Sequence, residues 1–209
     1  MGDAFPSISY IYGFGHTRLF SMEKKFEQHP SGIIKVVLYG PESTGKTTLS
    51  KQLAEHFNTL WVPEYAREYL QDKWDKEQKT CEPKDLLPIA KEQMRLENEM
   101  TREVERLLIC DTDLLETKVY SEAYYLGYSD PILEKYALKN TYDLYFLTSI
   151  DTPWEKDDLR DKPDEREKMY LYFKDTLEKY HRNFVILKGD KKARLKKAIY
   201  QIDKLLKND

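Results

Sequence analysis

The 209-residue chain is expected to fold as an α/β protein, a five-stranded parallel sheet with helices on both faces. Three observations predict this. Short runs rich in Val, Ile and Leu alternate with longer stretches of helical period from Ile33 onward. Those runs are mostly apolar, as strands buried on both faces are. The first run, IIKVVLYG, leads directly into a glycine-bearing loop and then a helix, the way a βα unit begins.

The elements follow in order. Residues 1–31 carry Gly, Pro and Ser punctuation without a sustained period, and read as an N-terminal extension before a domain at 32–209. Met22 is an alternative start, and MEKKFEQHPSG after it reads as a short helix. After the first strand, residues 46–57 form a helix. TLWVP is a second strand stopped by Pro63, EYAREYLQDKW a helix, and DKEQKTCEP a polar connector. A long helix spans 84 to about 106, with Pro83 near its first turn. LLICD is the third strand. The helix after it ends near Gly127, and Asp130 caps another short helix that opens with Pro131. YDLYFLTS is the fourth strand, and DTPWEKDDLRDKPDE a polar loop. A helix from 163 to about 180, the strand FVILKG and a helix over 190–207 complete the chain.

Composition excludes several classes. A net charge of −3 gives no electrostatic case for a nucleic-acid or anionic-membrane partner. The two cysteines, Cys81 and Cys110, fit no disulfide framework. There is no apolar run of membrane-spanning length and no secretory signal, so a cytoplasmic location is expected. The 16 tyrosines read as core or as the lining of a ligand site.

Gly40-Pro41-Glu42-Ser43-Thr44-Gly45-Lys46-Thr47 matches G-x-x-x-x-G-K-[ST] between a strand and a helix, the context of a P-loop. Glycines allow tight folding around phosphate, and backbone N–H groups at the helix start bind the anion. Candidate nucleotide contacts are Gly40, Glu42, Ser43, Thr44, Gly45, Lys46, Thr47 and Thr48. Lys46 is placed to reach the β- and γ-phosphates of ATP and Thr47 to ligate Mg²⁺. The strand LLICD ends at Asp111, a second Mg²⁺ ligand, with Asp113 close behind; Asp111 or Thr112 can also cap the next helix.

A GTP switch would carry Asp-x-x-Gly after that strand, and here Thr-Asp-Leu follows Asp111. A kinase needs an acceptor site, a base and a water-excluding lid. Glu64 and Arg67 in PEYAREY share one helix face, so Glu64 can accept a hydroxyl proton and Arg67 can clamp oxygens. Asp113 is the rival base. Arg160 and Arg166, in the charged stretch after the fourth strand, are placed to fold over a transferring phosphoryl group. Trp154 can stack on a flat substrate or anchor the loop. The Lys/Arg cluster at 191–197 reads as a solvated helix face.

GPESTGKTTL, FNTLWVPEYAREYL, ICDTDLLETKVY and TPWEKDDLR together resemble the ribosylnicotinamide kinase domain of NadR proteins, a P-loop kinase, from about residue 33 to the C-terminus. The resemblance implies a mobile lid and ATP-dependent phosphorylation of the ribose 5′-hydroxyl of nicotinamide riboside, with Mg²⁺. It places Glu64 and Arg67 in a substrate-side motif, Asp111 and Asp113 in a strand-end motif and Trp154 to Arg160 in a lid-side motif, with Gln93 as a substrate contact and Gly189 and Asp190 near adenine. The family's Asp-Asp-Gly before the lid Leu-Arg reads Lys156-Asp157-Asp158 here. NadR proteins also carry an adenylyltransferase domain before the kinase, and the residues before Ile33 are too few for one, so a stand-alone kinase, or one whose adenylyltransferase is a separate polypeptide, is expected.

Overall fold

A computed structural model describes residues 23–155, 159 and 163–208. Five strands form one wholly parallel sheet: β1 (Ile34–Tyr39), β2 (Trp61–Val62), β3 (Leu107–Asp111), β4 (Leu144–Thr148) and β5 (Phe184–Leu187). Their order is β2-β3-β1-β4-β5. Seven α-helices among the described residues join or follow them: α1 (Lys46–Phe57), α2 (Tyr65–Glu77), α3 (Leu86–Thr101), α4 (Leu114–Tyr120), α5 (Pro131–Lys139), α6 (Arg166–Lys179) and α7 (Lys191–Asn208).

The central strand explains the two cores. Alternate residues of a strand face opposite sides. Val36 and Leu38 pack with Leu49 and Leu53 of α1 and with Ala198 and Ile202 of α7. Val37 and Tyr39 pack with Met94 of α3, Leu115 of α4 and Phe173 of α6. Both faces are covered, so the strand is apolar except at Lys35, which is buried and paired with Glu97 at 2.9 Å.

Chain order sets the site. After β1 the chain turns through α1 on one face, whereas after β3 it turns through α4 on the other. β1 and β3 are neighbours, with Leu38 opposite Asp111. Their carboxyl ends therefore part in opposite directions and leave a crevice, the usual ligand position of such sheets.

Boundaries differ from expectation where local chemistry intervenes. Among the described residues the helix expected after Met22 shows helical Glu23 followed by a 3₁₀ turn, Lys24–Phe26. Phe26 is buried in the core, and Asn98 and Asn140 hydrogen-bond the backbone of residues 26–29. The long helix opens with a 3₁₀ turn, Pro83–Asp85, and stops at Thr101. There the Thr101 hydroxyl donates back to the Glu97 carbonyl at 2.7 Å, competing with the helical ladder. The helix expected to end near Gly127 does so, but its last turn, Ser121–Leu126, widens to π geometry. No described helix is long and apolar enough to cross a membrane.

Candidate active site

The loop after β1 is held from several directions. Gly40 has φ +134°, and a Cβ there would lie 2.9 Å from Thr148 Oγ1 and 3.1 Å from the Thr148 carbonyl. Thr44 Oγ1 donates to the Pro41 carbonyl (2.8 Å) and lies 2.7 Å from Thr148 Oγ1. Arg194 of α7 donates to the Thr44 carbonyl (2.7 Å), the Ser149 carbonyl (3.0 Å) and the Gly189 carbonyl (2.9 Å), and pairs with Asp151. Arg166 donates to the carbonyls of Ser43 and Thr152. We expect Gly40→Ala to cost about 2–4 kcal/mol, from left-handed strain plus overpacking against β4. Urea denaturation checks the cost, and nucleotide affinity should fall with it.

Lys46 lies inside this cradle and is buried. Its ammonium donates to the carbonyls of Gly40 (2.6 Å) and Pro41 (3.2 Å) and lies 3.1 Å from Glu116 Oε1. Burial alone would lower its pKa; the charges of Glu116, then Glu64 and Asp111, outweigh that and raise it. Glu116 is equally buried; burial raises its carboxyl pKa, the Lys46 ammonium 3.1 Å away lowers it, and we read the two as an ion pair. Asp111 is fully buried at the tip of β3. Burial, then the charge of Glu64, raises its pKa, and Thr47 and Lys46 pull it back. Neither Asp111 oxygen has a donor in hydrogen-bond geometry.

Glu64 stands where two cavities meet. One, of 270 Å³, is lined by the loop from Glu42 to Thr48 and by Arg67 and Lys191. The other, of 90 Å³, is lined by Leu70, Leu86, Ile89, Tyr120 and Tyr125 together with Gln93, Thr112 and Glu116. Glu64, Glu42, Ala66 and Leu70 line both. Gln93 holds Glu64 in place from either side, accepting from Tyr65 N (2.8 Å) and donating to the Pro63 carbonyl (3.1 Å). Thr112, in the wall of the smaller cavity, has φ +86°, a strained value for a β-branched residue.

A family model described as an AAA domain matches residues 35–194. The chain belongs to that family. The trifunctional NAD biosynthesis/regulator protein NadR of Salmonella typhimurium is 28% identical over 134 residues, 64% of this AAA domain chain and 32% of NadR. The chain thus spans about a third of the length of the curated relatives it matches. A crystal structure of NadR protein in complex with NR superposes with TM-score 0.63 at 22% identity, over 76% of this chain and 44% of that one. Deoxyadenosine kinase from M. mycoides gives 0.61 at 15% identity, over 82% of this chain and all of that one. These likenesses show a P-loop kinase-type fold for the AAA domain.

The fold gathers Glu64, Arg67 and the loop from Glu42 to Thr48, with Lys46 and Thr47, around the larger cavity; Gly40 and Asp111 lie behind this lining. Asp113 goes elsewhere. It is buried, it caps α4 by accepting from Glu116 N (3.0 Å), and it accepts from the Tyr145 hydroxyl (2.7 Å). The helix cap expected of Asp111 or Thr112 is therefore Asp113, and it lines neither cavity. Trp154 also lines neither; its ring lies under Arg166, whose guanidinium carbon is 5.4 Å from the centroid. Arg166 anchors backbone. Gly189 N donates to Asp151 (2.6 Å), and Asp190 accepts from Ala193 N (2.8 Å), opening α7. Arg160 and residues 156–158 lie outside the described residues.

Two residues escaped the sequence reading. Glu116 follows Asp113 at capping-box spacing, which disguised it as a helix-start residue. Arg194 lay in a basic run taken as solvated, yet it is buried. Its signal was the spacing to Ala198 and Ile202, i+4 and i+8, which puts it on the buried face of α7.

The outer wall of the smaller cavity rests on a charge cluster. Lys73 donates to Asp85 (2.6 Å) and Glu82 (2.7 Å), beside Cys81. Burial would raise the Asp85 pKa, but the bond from Lys73 leads the effects that lower it; Lys73 also holds Glu82 down at about 2. Both carboxyls sit below their ordinary values, so their contribution is complete near neutrality and is lost as pH falls toward 2. Lys73→Met leaves Asp85 buried without its partner. The pair lies just under the surface, so the loss should be about 3 kcal/mol at pH 7, the low end for a broken buried pair. Denaturation at pH 7 and pH 3 checks this: the gap to wild type should shrink in acid.

Proposed function

We propose that the chain is an ATP-dependent phosphotransferase that phosphorylates the ribose 5′-hydroxyl of nicotinamide riboside to give nicotinamide mononucleotide. The observation that carries this is Glu64 at the junction of the phosphate cradle and an apolar, tyrosine-walled pocket. A carboxylate there faces a terminal phosphate on one side and an acceptor on the other. The resemblance to NadR supplies the acceptor, and the NadR structure with NR supports it by likeness of fold.

ATP phosphates occupy the loop, bound by its backbone N–H groups and by Lys46. Glu64, oriented by Gln93, accepts the hydroxyl proton as the acceptor oxygen bonds to the γ-phosphorus and the bond to ADP breaks. Arg67 lies on the nucleotide side of Glu64 and is placed to bind phosphate oxygens. Tyr120 and Tyr125 offer faces for a flat ring. Asp111 and Thr47 fit Mg²⁺: a buried carboxylate without a hydrogen-bond donor and a neighbouring hydroxyl are hard oxygen ligands. Bound there, the ion neutralises phosphate charge. No three acidic, His or Cys side chains among the described residues form a ready-made cage, so phosphate oxygens and water would complete the shell.

The test compares ADP release from Mg·ATP with and without a panel of ribosides. A riboside-dependent rise is expected. A basal rate that no acceptor changes would leave an ATP-binding regulator instead.

A further inference from the structure

Glu116 is fixed at both ends. Its backbone N–H is held by the Asp113 cap, and its Oε2 accepts from Gly40 N at 3.3 Å. Its Oε1 lies 3.1 Å from Lys46 Nζ and has no hydrogen-bond donor in good geometry. The same side chain forms part of the wall of the acceptor-side cavity. An ion pair this buried is poor value for stability alone, since an apolar pair of equal volume would do as well or better. Its position, between the first glycine of the loop, the loop lysine and the acceptor pocket, calls for another role.

We propose that Glu116 is a positioning residue for phosphoryl transfer, tethering the Lys46 ammonium on the acceptor side of the loop. Lys46 donates to the Gly40 and Pro41 carbonyls, and its ammonium lies 3.1 Å from Glu116 Oε1. When phosphates arrive they compete for this ammonium, and Glu116 keeps it beside the oxygens nearest the acceptor. The carboxylate thus opposes nucleotide binding and favours transfer. Because it acts through Lys46, it makes no contact with the reacting atoms. This inference rests on reading the cleft as a kinase site.

Glu116→Gln keeps the volume and an acceptor for Gly40 N while removing the charge. Affinity for ATP, by calorimetric titration, should rise about threefold to tenfold, because an opposing charge is gone. Riboside-dependent kcat should fall about tenfold to a hundredfold, because the ammonium loses its tether. Glu116→Asp, which restores the charge one methylene shorter, should recover part of kcat. An unchanged kcat, weaker ATP binding, or a raised KM for the riboside alone would each overturn the proposal. If Glu116→Gln fails to fold, Glu116→Asp decides: with the charge kept but drawn back from Lys46, kcat should fall without weaker ATP binding, and wild-type kcat would overturn the proposal. Wild-type turnover tests the kinase reading separately; without it that reading falls, and tighter ATP binding in the Gln variant still shows the tether.

Discussion

Glu64→Gln is expected to lower riboside-dependent turnover by about 10²–10⁴, the usual worth of a positioned acid–base group. Nucleotide affinity should change little, because the substitution keeps volume and the loop is held by Arg194, Arg166 and Thr148. The Glu64 carbonyl still accepts from Arg67 N, and Gln93 still spans Pro63 and Tyr65, so α2 should start as before. Steady-state kcat and an ATP titration on the same preparation check both halves. Asp113→Asn is the informative comparison. Asp113 faces Tyr145 and the α4 backbone, so its replacement should lower stability and leave turnover per folded molecule near wild type. Near-normal turnover in Glu64→Gln would remove Glu64 from the role of base.

Lys46→Met should lower turnover by about 10²–10³, as the loss of a preorganised charge at the transferring group does. It should also make stability depend on pH in a defined direction. The variant keeps the buried carboxyls of Glu116 and Asp111 and removes the cation they face. Burial already places the Glu116 pKa above its ordinary value, and without Lys46 it rises further. A carboxyl raised by folding binds its proton more tightly in the native state. Its contribution is complete below the ordinary carboxylate pKa and is lost as pH rises through the folded value. The variant should therefore lie close to wild type at pH 5 and fall behind it toward pH 8 and above. Thermal unfolding at those pH values measures the gap. A gap that is constant or widens in acid would contradict this account of the cluster.

The sequence disclosed most where one local interaction decides the structure. The largely apolar runs became β1, β3, β4 and β5, because strands covered on both faces bury nearly every side chain; Lys35 in β1 is buried only with Glu97 as its partner. Lys46 and Phe57 bound α1 as expected, since the loop glycine and the αL residue Asn58 mark its ends. β2 is only two residues long: it pairs with β3 alone, and Pro63, which has no N–H to donate, ends it. Strand order needs long-range pairing, which no local pattern encodes.

The site was legible in its phosphate half and less so in its acceptor half. Asp111 and Asp113 looked equivalent in Asp-Thr-Asp; the positive φ of Thr112 separates them, leaving Asp111 at the strand tip and turning Asp113 into the core. Glu116 and Arg194 wore the patterns of a helix start and of a solvated basic face, and only packing revealed what they touch. Gln93, expected on the substrate side, lines the smaller cavity and also holds the Glu64 turn through two backbone bonds, a second role that its sequence position does not show.

The central claim is transfer of the terminal phosphate to a riboside. The most direct measurement incubates the wild-type chain with Mg·ATP and nicotinamide riboside, following ADP and the riboside together by mass spectrometry. The account predicts riboside-dependent ADP matched one for one by nicotinamide mononucleotide. ADP formation indifferent to the riboside, with the riboside recovered unphosphorylated, would contradict it.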